Sequence, residues 1–517
     1  MSLVDQMDTV TDAAAGGIDR HATTRTFEST DPASGAVVGV FPLHDTDAVR
    51  ETVDRARSAA EAWSALGHDG RRQRLAAFRG YLARRMNELA ELVHRENGKP
   101  HGDAILEITL AIDHLAWAGA HARKTLGSRR VKAGLLAANH AAYLEYQPLG
   151  VIGVIGPWNY PVFTPMGSIA YALAAGNAVV FKPSEYTPAV GAWLAAAWRA
   201  AVPDAADAFQ VVTGYGETGA ALCRAGVGKL AFTGSAATGR KVMATCAETL
   251  TPVLMELGGK DAMIVDDDAD VSAAADAAVW GAMSNAGQTC IGIERVYATS
   301  AVYDRFVAEV TERVGSLRPG SDDEATYGPM TMASQRGIVR RHVDEAASAG
   351  GRIVRGDADE SLFPNENFLS PVVLLDVPEE ASAIREETFG PTLTITRVRD
   401  AEEALARTNA TSYGLAGSVF SGSKARGMDL ARRMRSGMTS VNSVLTFASI
   451  PALPFGGVGD SGFGRIHGED GLKEFTRAKA ITRQRIALPV NLMSFDRPAS
   501  ATDALARVMG MIHGRHR

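Results

Sequence analysis

Val151-Ile-Gly-Val-Ile-Gly-Pro-Trp-Asn-Tyr-Pro161 decides the fold. Its first five residues carry no charge, and Gly156-Pro157 closes them. A short apolar run ended by turn residues reads as a buried strand. The same texture returns at Ala178–Lys182, 209–213, Lys229–Thr233 and 252–256, with helical segments between. Such alternation predicts βαβ units, a mainly parallel sheet and an α/β fold. Ligands of these sheets bind beyond the carboxyl ends of the strands. Polar, Gly- and Pro-containing segments follow nearly every run: Gly156-Pro157-Trp158-Asn159, Lys182-Pro183-Ser184-Glu185, Gly214-Tyr215-Gly216 and Gly234-Ser235. Their convergence says more than any one of them.

Upstream, residues 1–22 read as a flexible polar leader with no apolar core, and so as no signal peptide. Residues 27–41 read as strand, turn and strand. Residues 45–63 read as a helix with Thr46 as its cap, and 70–127 as long helices broken at Asn97-Gly98-Lys99-Pro100. Residues 141–147 have strand character. Downstream, a second alternating block runs from 262 to about 442. Helices are predicted at 270–286, 302–317, 337–349, 400–408 and 424–435. Strands are predicted at 295–299, 352–354, 371–375, 392–398 and 416–420.

A chain of 517 residues is too long for one simple core and suggests two or three domains. Its net charge of −6 gives no reason to expect a nucleic-acid partner. Three cysteines, an odd and low count, suggest free thiols in a reducing, cytoplasmic compartment. No uninterrupted apolar run is long enough to span a bilayer.

Two motifs mislead. Gly214-Tyr-Gly-Glu-Thr-Gly219 has dinucleotide-fingerprint spacing after a strand, but no acid occurs between Gly219 and Ala247 to hold a ribose. Gly234-Ser-Ala-Ala-Thr-Gly239 resembles a phosphate-binding P-loop, but Arg240 and Lys241 stand where Lys and Ser/Thr belong. What survives is a strand, a glycine turn and a helix N-terminus, whose N–H groups suit a pyrophosphate.

Cys290 sits in Ser284-Asn-Ala-Gly-Gln-Thr-Cys-Ile-Gly-Ile-Glu-Arg295 among small residues that let a substrate approach. Alone it reads as nucleophile or as buried structural thiol. Glu256, before Leu257-Gly258-Gly259, is a helix-cap acid or a general base. Asn159, between bulky neighbours, is a turn former or an oxyanion donor. Lys182 is a ribose ligand or a surface lysine, and Glu387 a cofactor ligand or a solvated loop acid.

Together these segments resemble the aldehyde dehydrogenase superfamily over residues 25–485. Its motifs recur in order: Pro157-Trp-Asn-Tyr-Pro161, Lys182-Pro-Ser-Glu185, Phe232-Thr-Gly-Ser235, Glu256-Leu-Gly-Gly-Lys260, Gly287-Gln-Thr-Cys290, Glu387-Thr-Phe-Gly-Pro391, Asn442 and Pro454-Phe-Gly-Gly457. The resemblance implies a Rossmann-like NAD-binding domain (23–130 and 149–258), an α/β catalytic domain (259–456) and oligomerisation strands (131–148 and 470–490). A tail (491–517) follows. It implies that Cys290 attacks an aldehyde, Asn159 and the Cys290 N–H hold the oxyanion, and Glu256 activates water. It places Ile155, Gly156, Trp158, Lys182, Ser184, Glu185, Gly214, Gly219, Thr233, Gly234, Ser235, Leu257, Glu387 and Phe389 at the cofactor. No metal is implied.

Glu185 favours NAD over NADP, because a carboxylate accepts from a ribose 2′-OH and repels a 2′-phosphate. Lys182, Arg240 or Lys241 would soften that preference. Tyr160, Phe163, Met283, Thr289, Ile291 and Phe447 would line the substrate tunnel. Their mainly apolar character points to an aliphatic or aromatic aldehyde. Succinate semialdehyde is the alternative, with Arg295 as its candidate anchor. A non-catalytic binding protein on this fold, or an enzyme passing the acyl group to coenzyme A, would lack Glu256 or Cys290. A homodimer or homotetramer is expected. The tail suits a helix packed on a neighbouring subunit or, less commonly, one lying on a membrane surface.

Overall fold

The computed structural model of the protein describes residues 25–322 and 324–514, so the leader 1–22 lies outside the described residues. The uncharged runs become strands buried on both faces, as parallel sheets require: all five residues of Val151–Ile155 and of Ala178–Lys182 are buried. The first sheet has six strands. Their order is Gly462–Phe463, Val253–Glu256, Lys229–Thr233, Val151–Ile155, Ala178–Lys182 and Phe209–Val211. All neighbours are parallel except the first pair, where Gly462 faces Glu256. From Val151–Ile155 the chain winds outward to Phe209–Val211. It then returns to the other side at Lys229–Thr233. This reversal opens a crevice beyond the strand ends, and Ile155 pairs with Phe232 there and Thr233 with Glu256.

The second sheet has seven strands, in the order Arg352–Arg355, Val372–Leu375, Thr392–Val398, Ile293–Thr299, Asp261–Val265, Gly417–Phe420 and Ser440–Val441. Only its first strand is antiparallel. The chain then returns to the first lobe, and Phe455, Ile466, Leu472 and Phe475 join its core. A third sheet pairs Thr476–Gln484 with His140–Pro148, and that strand with Arg129–Val131, all antiparallel.

Several boundaries differ from the sequence reading, each for a local reason. Asp45, not Thr46, caps the helix Thr46–Ala65: its side chain accepts from the Ala48 N–H. The segment 270–286 divides into the helix Val271–Met283 and a 3₁₀ turn, Ser284–Gly287, because Asn285 and Ala286 take left-handed φ of 52° and 55°. The strand expected at 295–299 starts at Ile293, because Glu294 is buried against Lys260 and the Thr388 and Phe389 N–H groups. The run 209–213 stops pairing at Val211, and the Thr213 hydroxyl turns to the Pro42 carbonyl at 2.6 Å.

Three helices, Gly67–Arg84, Met86–Asn97 and His101–Leu126, pack on the first lobe. Aromatic edges join the first of them, and the helix Thr46–Ala65 before it, to the sheet: Phe78 and Trp63 lie 5.3 and 5.5 Å from Trp198, and Trp198 lies 6.2 Å from Phe209. Phe78 is fully buried. Phe78→Ala is expected to cost about 3–5 kcal/mol in urea unfolding, from lost transfer energy and a cavity. A loss under about 1 kcal/mol would mean that the helices dock without this contact.

Candidate active site

Cys290 follows the left-handed turn, where Gly287 continues with φ 71°. A side chain at Gly287 would run into the Gly390 carbonyl. Gln288 pins the turn: its side chain donates to the Asn285 carbonyl at 2.9 Å and accepts the Thr331 N–H at 2.9 Å. The Asn159 amide donates to the Gln288 carbonyl at 2.9 Å, and Asn285 donates to the Asn159 carbonyl at 3.1 Å. Asn159 is buried. These bonds hold the loop after the central strand of one lobe against the cysteine loop of the other.

Cys290 is half-buried. Burial first, then Glu256 and Glu387, hold its thiol well above the ordinary range. Burial pushes the Glu256 carboxyl up to about 7, although the Cys290 thiol and Thr233 hydroxyl pull the other way. Neither reaches hydrogen-bond geometry, and both Glu256 oxygens are buried without a partner among the described residues. Glu387 is pushed up to about 8, by burial and then by Glu294, and accepts the Gly259 N–H at 3.0 Å. Cys290, Glu256 and Glu387 thus share one water-poor space in which a second negative charge is unfavourable.

Sequence reasoning missed what holds Asn159. The buried Lys99 ammonium pairs with Glu107, donates to the Asn159 carbonyl at 2.8 Å and lies 3.9 Å from the Tyr160 ring. The other Glu107 oxygen accepts the Val162 and Phe163 N–H groups at 2.7 and 3.0 Å. Asn97 donates to the Trp158 carbonyl at 3.0 Å. One signal was available: Glu107 is the lone acid within the apolar run Ala104-Ile-Leu-Glu-Ile. In the sequence Lys99 reads only as part of a helix break.

Most of the cofactor candidates lie at the strand ends of the first sheet or in the segments that follow them. Ile155 and Gly156 end the central strand, and Gly156 N–H bonds the Lys182 carbonyl at 3.0 Å. Lys182 is buried and donates to the Pro183 carbonyl at 3.1 Å, with Glu185 3.8 Å away. Burial lowers its pKa, and Glu185 opposes this. Ser184 lies 3.5 Å from Glu185. Gly214 has φ 147°, and a side chain there would strike Thr218, while Gly219 packs on the Lys182 stem. Thr233 and Gly234 lead to Ser235, which caps the helix Ala236–Ala247. Leu257 N–H bonds the Ser461 carbonyl at 3.2 Å. Phe389 crosses Trp158 edge-on at 5.6 Å. Arg240 is tied to Asp460 at 2.9 Å.

Tyr160, Phe163, Ile291 and Phe447 share one apolar cluster with Cys290, and Thr289 joins through a 3.0 Å bond to the Tyr160 hydroxyl. Met283 does not: its helix turns it into the core of the second lobe, so the tunnel assignment is corrected there. Arg295 is corrected as an anchor. It is buried, and its guanidinium bonds the Lys260 carbonyl at 2.9 and 2.7 Å and the Thr408 carbonyl at 3.3 Å. The loop bearing Phe447 is held from below by two residues the sequence reading passed over. His114 Nε2 donates to the Ala448 carbonyl at 2.9 Å, and the Tyr171 hydroxyl donates to the Pro451 carbonyl at 3.1 Å.

Two outcomes follow from this geometry. Lys99→Met leaves Glu107 buried without its cation; it is expected to cost about 3–5 kcal/mol in chemical unfolding and to slow turnover about 10²-fold by loosening Asn159. Wild-type turnover in this variant would show that the loop holds itself. Turnover that uses ionised Glu256 is expected to rise with pH through about 7 and level off above it. Glu256→Gln should abolish that limb of the pH–rate profile. An unchanged limb would assign it to another group.

A profile of the aldehyde dehydrogenase family matches residues 19–481. A 4,4'-diapolycopene aldehyde oxidase from Methylomonas sp is 35% identical over 492 residues, which is 95% of this chain and 92% of that one. PnpE from Pseudomonas sp. WBC-3 superposes with a TM-score of 0.85 at 31% identity, covering 91% of this chain and 96% of that one. PnpE has also been crystallised in complex with nicotinamide adenine dinucleotide; that structure covers 90% of this chain and 95% of its own at 32% identity and TM-score 0.85. An NADP dependent enzyme of E. coli superposes at TM-score 0.84 and 32% identity, over 89% and 95% of the two chains. A likeness that runs through both lobes and the site between them has one reading: the chain belongs to the aldehyde dehydrogenase family and is an oxidoreductase acting on aldehydes.

Proposed function

We propose that the chain oxidises an apolar aliphatic or aromatic aldehyde to its carboxylic acid with NAD, through a thioester on Cys290. The observation that carries the substrate class is that Tyr160, Phe163, Ile291 and Phe447 belong with Cys290 to the apolar core of the first lobe, combined with an Arg295 that is spent on backbone carbonyls. The named activity of the Methylomonas relative, on a polyene aldehyde, agrees with it.

Cys290 gives its proton to Glu256 and adds to the aldehyde carbon. The second N–H of the Asn159 amide and the Cys290 backbone N–H hold the oxyanion. Such a donor is typically worth about 10²–10³ in rate. The bound dinucleotide supplies the hydride acceptor. Once Glu256 has passed the thiol proton to solvent, it takes a proton from the water that attacks the thioester, and Cys290 leaves as a thiolate, the better leaving group.

The crevice fits a dinucleotide: the strand Lys229–Thr233 and the Gly234 turn lead into the N-terminus of Ala236–Ala247, where Ser235 is exposed and the first N–H groups suit a pyrophosphate. Lys182 and Glu185 would hold the adenosine ribose, and Glu387 and Phe389 the nicotinamide end. Glu185 opposes a 2′-phosphate, and Arg240, paired with Asp460, is not free to welcome one.

The cofactor lobe is 23–130 with 149–258, and the catalytic lobe 259–456. The strand Thr476–Gln484 pairs on one side only, and a long open edge is normally covered. It supports a homodimer or homotetramer. The unpaired Cys223, Cys246 and Cys290 fit a reducing cytoplasm.

The test is NAD and NADP reduction with hexanal, decanal, benzaldehyde and succinate semialdehyde, with Cys290→Ala as control. Highest kcat/KM on decanal or benzaldehyde with NAD is expected, and none with Cys290→Ala. A clear lead for succinate semialdehyde would sink the substrate class; activity without the cysteine would sink the mechanism.

A further inference from the structure

Beyond Ile486, whose carbonyl accepts from the Asn139 amide at 2.9 Å, no described residue of the chain is buried. Along the helix Ala499–His513 no residue is buried. Ala501, Leu505, Val508, Met509 and Ile512 recur at helical spacing and form one apolar stripe. The connector before it exposes Ile486, Leu488, Val490, Met493 and Phe495, the last fully. Charge accompanies this apolar surface. Between Arg485 and Arg517 five arginines face two acids, Asp496 and Asp503, so the segment is net +3 in a chain of net −6. After Asp503 no acid occurs, while Arg507, Arg515 and Arg517 do.

We propose that this tail is an interfacial anchor for an anionic lipid surface. A helix with an apolar face and basic flanks buries the first among acyl chains and places the second at the headgroups. At about 1.5 Å per residue, 15 residues reach about 22 Å, short of a hydrocarbon core of about 30 Å. No described helix is long and apolar enough to cross a membrane. The helix therefore lies in the surface plane, with Leu505, Met509 and Ile512 down and Arg507 reaching sideways to the headgroups. The strand proposed for subunit contact ends at Gln484, before this segment begins, so both arrangements coexist. The inference stands apart from the choice of aldehyde.

Vesicle sedimentation of the full chain tests it. Binding to equimolar phosphatidylglycerol and phosphatidylcholine is expected, with about tenfold less on phosphatidylcholine alone and release at high salt. Leu505→Asp/Met509→Asp should lower the bound fraction about tenfold while the thermal midpoint stays unchanged. Arg507→Ser/Arg515→Ser/Arg517→Ser should weaken binding to the anionic vesicles alone. A native chain that stays in the supernatant overturns the proposal, as does a Leu505→Asp/Met509→Asp protein that pellets like the native one. If native protein ignores vesicles and the aspartate variant loses subunits in light scattering, the stripe packs on a second copy and the proposal is wrong.

Discussion

The hydrogen bond from the Asn159 amide to the Gln288 carbonyl joins two loops that belong to different sheets. Everything at the site depends on that joint. On one side Asn159 is held by Lys99, itself held by Glu107. On the other, Gln288 is held by Asn285 and the Thr331 N–H. The left-handed residues Asn285 and Ala286 are strained, at about 1–2 kcal/mol each, and persist because these bonds over-determine the turn. Inside a protein such bonds strengthen one another, and each broken one leaves a buried group without a partner.

The buried carboxylates divide by how they are satisfied. Glu107 has an ammonium and two backbone N–H groups, and Glu294 has Lys260 and the Thr388 and Phe389 N–H groups. Both are fully occupied in holding the fold together. Glu256 has no partner within the described residues, and burial pushes its carboxyl up to about 7. A buried acid left without partners is costly to a fold, and such groups gather where chemistry needs a proton acceptor near neutral pH. Cys290 and Glu256 stand in the same low-dielectric space, where a second negative charge is disfavoured.

The strands and the approximate helices were legible because period and punctuation are local properties. Ala178–Lys182, Lys229–Thr233 and Thr392–Val398 lie where their apolar runs place them. The helix ends were less legible. Asp45, Asp270 and Asp400 cap helices because each side chain meets an N–H three residues on, and neighbouring hydroxyls compete for that role in a bare sequence. Met283 and Arg295 show the limit of reading by proximity. Both flank the cysteine in sequence, yet helix phase turns Met283 into the second core, and strand alternation sends Arg295 to the Lys260 carbonyl.

By itself the sequence determined the α/β class, the two alternating blocks, the family, and the identity of the groups that meet at the strand ends. Residue type and spacing carry those facts, since a motif's chemistry resides in its own atoms. Only the tertiary structure decided that Glu256 lacks a partner among the described residues and that Lys99 and Glu107 hold Asn159 from 60 and 52 residues away. It also put Phe447 in the core that Cys290 packs against and Met283 in the core of the second lobe. Desolvation, pairing and packing depend on which distant segments arrive at one place, and no local pattern encodes that arrival.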